Sequence, residues 1–390
     1  MLFTLLFLFW LSMTIVFYTY VGYGLIVWLW ARTVRGQAQP LAPDFEPEVT
    51  LVVPAYNEAD ILDEKVRNCQ SLDYPPGKLK LLFITDGSTD HPGQALVTYP
   101  GVQHLHQSAR AGKSMAENRA IGHVTTPFVI FTDCNTLLNT EAVRLLVRHY
   151  QNPQVGAVSG EKRVLRDGST SGAGEGLYWK YESLLKRCDS DIYSLMGAAG
   201  ELVSFRTSLF APLEADTVLD DFVQSMRIVD AGYRVVYEPA AYAMEPPSFS
   251  LKEEMKRKVR ICAGGWQAMG RLLPLLNPLR QPVVTFLYIS HRVLRWSLTP
   301  ALLLLLLPLN AALAHVHSGV YTLLMGLQVL FYGAAALGWW QVNHGRPAGP
   351  LLVPLYFTMM NVAVFQGALR HWRKGQPAAW DKAQRAPAAV

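Results

Sequence analysis

Charge is scarce in this sequence: 17% of its 390 residues are Asp, Glu, Lys or Arg, against 51% hydrophobic. An ordinary soluble domain is nearer a quarter charged, so the deficit points to a membrane. Cysteine is scarce too. Cys69, Cys134, Cys188 and Cys262 are scattered, with no CxxC pair. That excludes a disulfide framework and a zinc ribbon and fits a reducing compartment. Internal repeats are missing, and low complexity is confined to the Ala/Pro-rich tail after residue 376. The net charge of +5 is modest and sits beside apolar stretches, which speaks for a membrane surface and against nucleic acid.

What is present is long apolar runs. Residues 2–30 carry no charge and exceed the roughly 20 residues a helix needs to span a bilayer. Positive charges follow this run (Arg32, Arg35) instead of preceding it, unlike a cleaved signal peptide, and they predict a cytoplasmic side for what comes next. Further apolar stretches lie at 297–314, 320–340 and 351–369. The chain therefore divides into an anchor (1–35), a soluble domain (45–245), amphipathic interface helices (246–296), C-terminal spans (297–372) and a tail (373–390). One span before the domain and three after it put the tail outside. Its Arg370, Arg373, Lys374, Lys382 and Arg385 argue for the cytoplasm. A fifth span at 282–296 would resolve the conflict, but His291, Arg292 and Arg295 make that stretch an interfacial helix.

Within the soluble domain, short β-branched runs alternate with helical spacing. VTLVVP (49–54), LKLLFIT (79–85), VQHLHQ (102–107), FVIFTD (128–133) and VGAVSG (155–160) read as strands. KSMAENRAIG (113–122) and EAVRLLVRHY (141–150) read as helices between them. Alternation of this kind predicts an α/β fold with a mostly parallel sheet and helices on both faces. Ligands of such sheets bind beyond the carboxyl ends of the strands, where this chain places PAYNE (54–58), TDGSTD (85–90) and TDCN (132–135). AGKS (111–114) is no P-loop, because the required earlier glycine is Gln107.

Each polar strand end has a functional and a structural reading. Asp133 and Asn135 offer two oxygen donors to one hard cation, or they close an Asx turn. Asp86 could accept from a base or ribose, with Gly87 allowing close approach, or it caps the next helix. Lys113 and Arg110 could meet a phosphate or be solvated. Asp220 and Asp221 of LDDF (219–222) open a helix, where acids are favoured electrostatically; a general base needs one of them in a cleft. The segment 250–273 is basic and amphipathic, as suits a membrane interface.

Taken in order, PAYNE, TDGSTD, RAGK, DCN, LDDF and an arginine-rich helix before membrane spans resemble the membrane-integrated family 2 glycosyltransferases over about residues 45–275. These are relatives of cellulose, hyaluronan and poly-N-acetylglucosamine synthases and of ceramide glucosyltransferases. The resemblance implies a GT-A fold, a nucleotide-sugar donor (usually UDP-linked), a divalent Mn or Mg ion and inversion at the anomeric carbon. By position, Tyr56 and Glu58 would contact the nucleoside, Asp86 the base and Lys113 the diphosphate. Asp133 and Asn135 occupy the metal-binding DxD motif, with asparagine in place of the second acid. Asp221, beside Asp220, matches the general base, and Gly200 the loop that borders the acceptor. Arg260 retains the arginine of the processive synthases' QxxRW motif, but their glutamine is Arg257 here and their tryptophan is Ile261. An aliphatic side chain cannot stack on a sugar as indole does; Trp266 is a candidate substitute.

The resulting expectation is an inverting transferase working at the cytoplasmic face of a bacterial inner (plasma) membrane. It would make polysaccharide on a growing glycan or add one or a few sugars to a membrane lipid. A second copy or a partner membrane subunit could complete a channel that four spans do not enclose. Two rivals come from other classes. One is a nucleotide-binding regulatory protein without catalysis. The other is a transporter, disfavoured because 297–314 and 320–340 contain no acid or lysine.

Overall fold

The computed structural model describes residues 2–34, 44–90, 92, 96, 98–165, 170–317 and 319–373. Arg35 and the tail charges from Lys374 onward, which bear on orientation, lie outside the described residues.

Among the described residues, eight strands form one sheet: β1 (Val49–Ala55), β2 (Leu79–Asp86), β3 (Val102–Gln107), β4 (Phe128–Phe131), β5 (Leu137–Leu138), β6 (Val155–Val164), β7 (Val203–Arg206) and β8 (Arg234–Glu245). Their order is β3-β2-β1-β4-β7-β6-β8-β5. The five strands expected from the sequence are all present. The side-chain period of two divides β1, β2 and β4 cleanly: Val52, Leu82, Ile84, Val129 and Phe131 enter one core, while Leu51, Val53, Leu81, Phe83 and Ile130 enter the other. With both faces covered, the strands read as unbroken apolar runs.

The sheet is mixed. β1 pairs in parallel with β2 and β4, as do β2 with β3 and β6 with β8. Against this, β7 is antiparallel to both β4 and β6, and β5 is antiparallel to β8. The strict alternation ends at β6. The chain then runs through the long Thr170–Ile192 helix and re-enters the sheet between β4 and β6 in the opposite sense.

Among the described residues, four helices are long and apolar enough to cross a membrane: Leu2–Val34, Leu298–Val316, Val320–Asn343 and Gly349–Trp372. They fit an integral membrane protein with one span ahead of the sheet domain and three behind. The 282–296 stretch is helical but is not one of them. Helix Leu251–Arg271 departs from the expected interfacial pattern, because several of its charges face the protein interior. Glu254, Arg257 and Lys258 are buried. Glu254 pairs with both cations at 3.0 and 3.4 Å and accepts from Tyr356 of the last span at 2.9 Å. Buried charges persist only when paired and hydrogen-bonded in this way. The same two helices touch closely where a Cβ on Gly367 would stand 2.5 Å from that of Cys262.

Candidate active site

A cleft of about 290 Å³ opens beyond the carboxyl ends of β1, β2 and β4. Its walls include Tyr56, Glu58, Asp86, Lys113, Asp133, Asn135, Gly200, Asp220, Asp221, Arg257 and Arg260. These eleven come from seven segments far apart in sequence, and the fold brings them to one place.

The first two strand-end loops lock together. Asn57 adopts a left-handed φ of +51°, which asparagine tolerates, and its side-chain oxygen accepts from the Thr89 amide at 2.8 Å. Asp90 caps the helix after β1, accepting from the Ala59 amide at 2.7 Å. Asp86 is buried, and its Oδ2 accepts from the amides of Ala111 and Gly112 at 2.9 and 2.7 Å. This carboxylate borders the cleft while holding the Arg110–Gly112 loop in place. Gly87, at φ +68°, permits the approach: a Cβ there would stand 2.5 Å from that of Arg110. Arg110 in turn lies over the Tyr56 ring at 3.8 Å.

The Asp133–Asn135 turn is stiffened from below. The buried Lys65 ammonium donates to the Thr136 carbonyl at 2.6 Å, and the Thr136 hydroxyl donates to the Asp133 carbonyl at 2.8 Å. Cys134 points into the core, as expected for packing, and all four cysteines are buried and outside any disulfide. Asp133 and Asn135 therefore present oxygens from one rigid turn. Among the described residues, no group of three His, Cys, Asp or Glu side chains could hold a metal alone. The donor set fits a hard cation whose other ligands come from a bound diphosphate and water.

Lys113 stands at the centre. Its Nζ is 2.8 Å from Asp133, 3.4 Å from Asp220 and 3.9 Å from Glu117. Burial works against its charge, but the surrounding carboxylates outweigh that and raise its pKa well above the usual lysine range. Glu117 is pushed well above the carboxylate range by burial and by the charge of Asp220, with which it shares a hydrogen bond. Asp220 is thereby held low: Lys113 and the Glu117 hydrogen bond overcome the effect of burial. Asp221, next in the chain, shifts the other way. Burial first, then the Asp220 charge, raise it to about 7. Neighbouring carboxyls driven apart in this manner take different protonation states in one site.

Gly200 completes this wall. A Cβ added there would stand 3.2 Å from Asp221 Oδ2 and 3.3 Å from Lys113 Nζ. On the far side, Arg257, Arg260 and Ile261 of the Leu251–Arg271 helix face the cleft, with Arg257 also bonded to Glu254. Trp266 does not join them. Five residues turn a helix by about 500°, so its ring leaves that wall and lies 5.6 Å from Trp372. The cleft keeps Ile261 at the aromatic position.

Two groups were not anticipated from the sequence. Glu117 falls four residues after Lys113 on one helix face, a spacing that could have signalled it. Glu201, a cleft neighbour of Gly200, is held well below the carboxylate range by the buried Lys162, 2.7 Å away, against the effect of burial. Nothing in its local pattern marks that pairing.

Two family models match the chain: "Glycosyl transferase family 2" over residues 50–200 and "Glycosyl transferase family group 2" over residues 128–343, more than half its length. Poly-beta-1,6-N-acetyl-D-glucosamine synthase of Staphylococcus aureus (strain MSSA476) is 25% identical over 234 residues, 57% of this chain and 56% of that one. The chain thus spans just over half the length of this relative. An N-acetylglucosaminyltransferase of Rhizobium meliloti (strain 1021) is 25% identical over 310 residues, 74% of this chain and 71% of that one. Among solved structures, mannosyltransferase PcManGT from Pyrobaculum calidifontis, in complex with GDP-Man and Mn2+, is similar in fold. Its TM-score is 0.72 at 22% identity, over 94% of this chain and 99% of that one. The chain is a family 2 glycosyltransferase, with a GT-A fold joined to membrane-spanning helices.

Proposed function

We propose that this enzyme moves a sugar, with inversion, from a UDP-linked donor to a membrane-associated acceptor at the cytoplasmic face, in polysaccharide synthesis. The observation that carries the reading is a single cleft holding both halves of the chemistry: Asp221 raised to about 7, and Lys113 with Asp133 beside it. The names of the bacterial relatives favour a glycan product and make N-acetylglucosamine the first sugar to test.

A carboxylate with a pKa near the working pH is suited to general-base work. Asp221 takes the proton of an acceptor hydroxyl as that oxygen attacks the anomeric carbon. The bond from that carbon to the diphosphate breaks, and the diphosphate leaves with the electron pair. One in-line displacement inverts the configuration. Lys113 and Arg260 face the leaving charge, and such preplaced cations act most strongly where water is excluded. A divalent ion, Mn or Mg, would be held by Asp133 and Asn135 and would supply further neutralisation of the diphosphate. Tyr56 and Arg110 would flank the nucleoside.

Ile261 favours a second reading, addition of one or a few sugars to a lipid, because the wall lacks an aromatic platform for a sliding glycan. The test is nucleoside-diphosphate release by the purified chain over a panel of UDP- and GDP-sugars with Mn or Mg, beside Asp221→Asn and Asp133→Ala. Release from one donor, lost in both variants, supports the transferase; release unchanged in Asp221→Asn refutes the assigned base. Tracing labelled sugar into product then separates polymer from glycolipid by size.

A further inference from the structure

Away from the cleft, a dense group of buried charges lies where the sheet domain meets the membrane-proximal helices. Glu182 and Asp189 come from the Thr170–Ile192 helix, His291, Arg292 and Arg295 from the 282–296 helix, and Tyr23 from the first span. His291 Nδ1 is 2.5 Å from Asp189, whose other oxygen accepts from the Tyr23 hydroxyl at 2.5 Å. Arg292 Nη1 lies 2.6 Å from Glu182, and Arg295 Nη1 3.4 Å. The 282–296 helix passes through a π-turn, Ile289–Val293, and the first span has its own at Tyr18–Gly22. The two meet, with Tyr18 and Ser290 sharing a hydrogen bond of 2.7 Å. A π-turn inserts one residue and redirects the side chains around it, a feature frequent at functional sites.

Arg292 alone of this group reaches toward the active-site loop. Its Nε donates to the Met196 carbonyl at 2.7 Å. Met196 leads directly into Gly197, at φ +94°, where a Cβ would stand 2.1 Å from the ring of Phe222. Phe222 follows Asp221, and its ring lies 5.2 Å from Trp296, edge-on. Beyond Gly197, the Ala198 amide donates to Ser225 at 3.0 Å and the Ala199 amide to Ser159 at 3.2 Å. Gly200 then meets Asp221 and Lys113. A continuous chain of contacts thus runs from the membrane-proximal charges to the proposed base.

We propose that Arg292 is a positioning residue for sugar transfer. Seated by Glu182, it fixes the Met196 carbonyl and, through the 197–200 loop and Phe222, sets where Asp221 stands against Lys113. This rests on the reading of Asp221 as the base. It registers that base against the membrane-proximal helices as well as the sheet, where an acceptor delivered from the bilayer must arrive.

The test uses the full chain in lipid nanodiscs, with Arg292→Lys and Trp296→Leu. Lysine keeps a charge opposite Glu182 but lacks the planar fork needed to serve both Glu182 and the Met196 carbonyl. Trp296→Leu removes the prop on Phe222, and with it the ring that Arg292 lies over at 6.0 Å, while every charged group is kept. Small misplacements at a distance from the chemistry can cost about 10²-fold. The expected result in either variant is a fall in kcat of that order, with donor KM and calorimetric UDP affinity held within about twofold of the parent. A purely structural role would lower melting temperature and yield but leave kcat per bound-nucleotide site unchanged. That outcome overturns the proposal, as does a kcat loss matched by lost UDP affinity. Should Arg292→Lys fail to fold, Trp296→Leu decides by the same criteria. Turnover of the parent is read in the same assay, so failure of the underlying transferase reading shows there and takes this inference with it.

Discussion

The raised pKa of Asp221 is the feature most open to direct attack. An aspartate in water titrates near 3.8, and here burial and then the Asp220 charge carry it to about 7. If the deprotonated form is the base, the rate follows its fraction. About half the plateau rate is expected at pH 7, about one-tenth at pH 6 and about one-hundredth at pH 5, since each pH unit below the pKa is a factor of ten. An unperturbed aspartate would keep more than nine-tenths of its activity at pH 5. The assay is initial nucleoside-diphosphate release from pH 5 to 9 at constant ionic strength. UDP binding measured over the same range separates loss of affinity from loss of the base. Asp220→Asn supplies the internal check: removing that charge must move the acid limb to lower pH. A rate that stays within about twofold from pH 8 to pH 5 refutes the reasoning, as does an acid limb that Asp220→Asn leaves in place.

Asp221→Asn is expected to raise the melting temperature while abolishing turnover. The folded state disfavours the ionised carboxylate, so the gain is full above pH 7 and vanishes as the pH falls toward 4; melting curves at pH 8 and pH 4.5 check it. Gly200→Ala should fold normally yet lose roughly tenfold in kcat, because its Cβ would press Asp221 and Lys113 from 3.2 and 3.3 Å and displace both by a few tenths of an ångström. Glu238 lies outside the cleft, where His149 and Arg148 hold it at about 2 against the effect of burial. Glu238→Gln should cost on the order of 3 kcal/mol at pH 7. That difference should fade as the pH falls from about 4.5 to 2, which denaturant titration at several pH values would show.

Much of this protein was legible in one dimension. The first span, the three later spans and the apolar strands β1, β2, β4 and β6 follow from unbroken hydrophobic runs, because a bilayer and a sheet covered on both faces each demand local apolarity. The polar strand ends identified the cleft, since the carboxyl edge of such a sheet is where a ligand fits. The family order of PAYNE, DCN and LDDF then supplied roles that no single tripeptide could.

Other features depended on packing. The antiparallel entry of β7, the turning of Glu254, Arg257 and Lys258 into the protein, and the placing of Trp266 against Trp372 arise from which neighbour each side chain meets. The opposite protonation tendencies of Asp220 and Asp221 have the same origin. Two adjacent aspartates are identical as letters, and both are desolvated; only the third dimension pairs one with Lys113 and Glu117 and leaves the other facing the first one's charge. Composition and periodicity are local properties and can be read along the chain. The charge and solvent around a buried carboxyl come from residues tens or hundreds of positions away, so they exist only once the chain has folded.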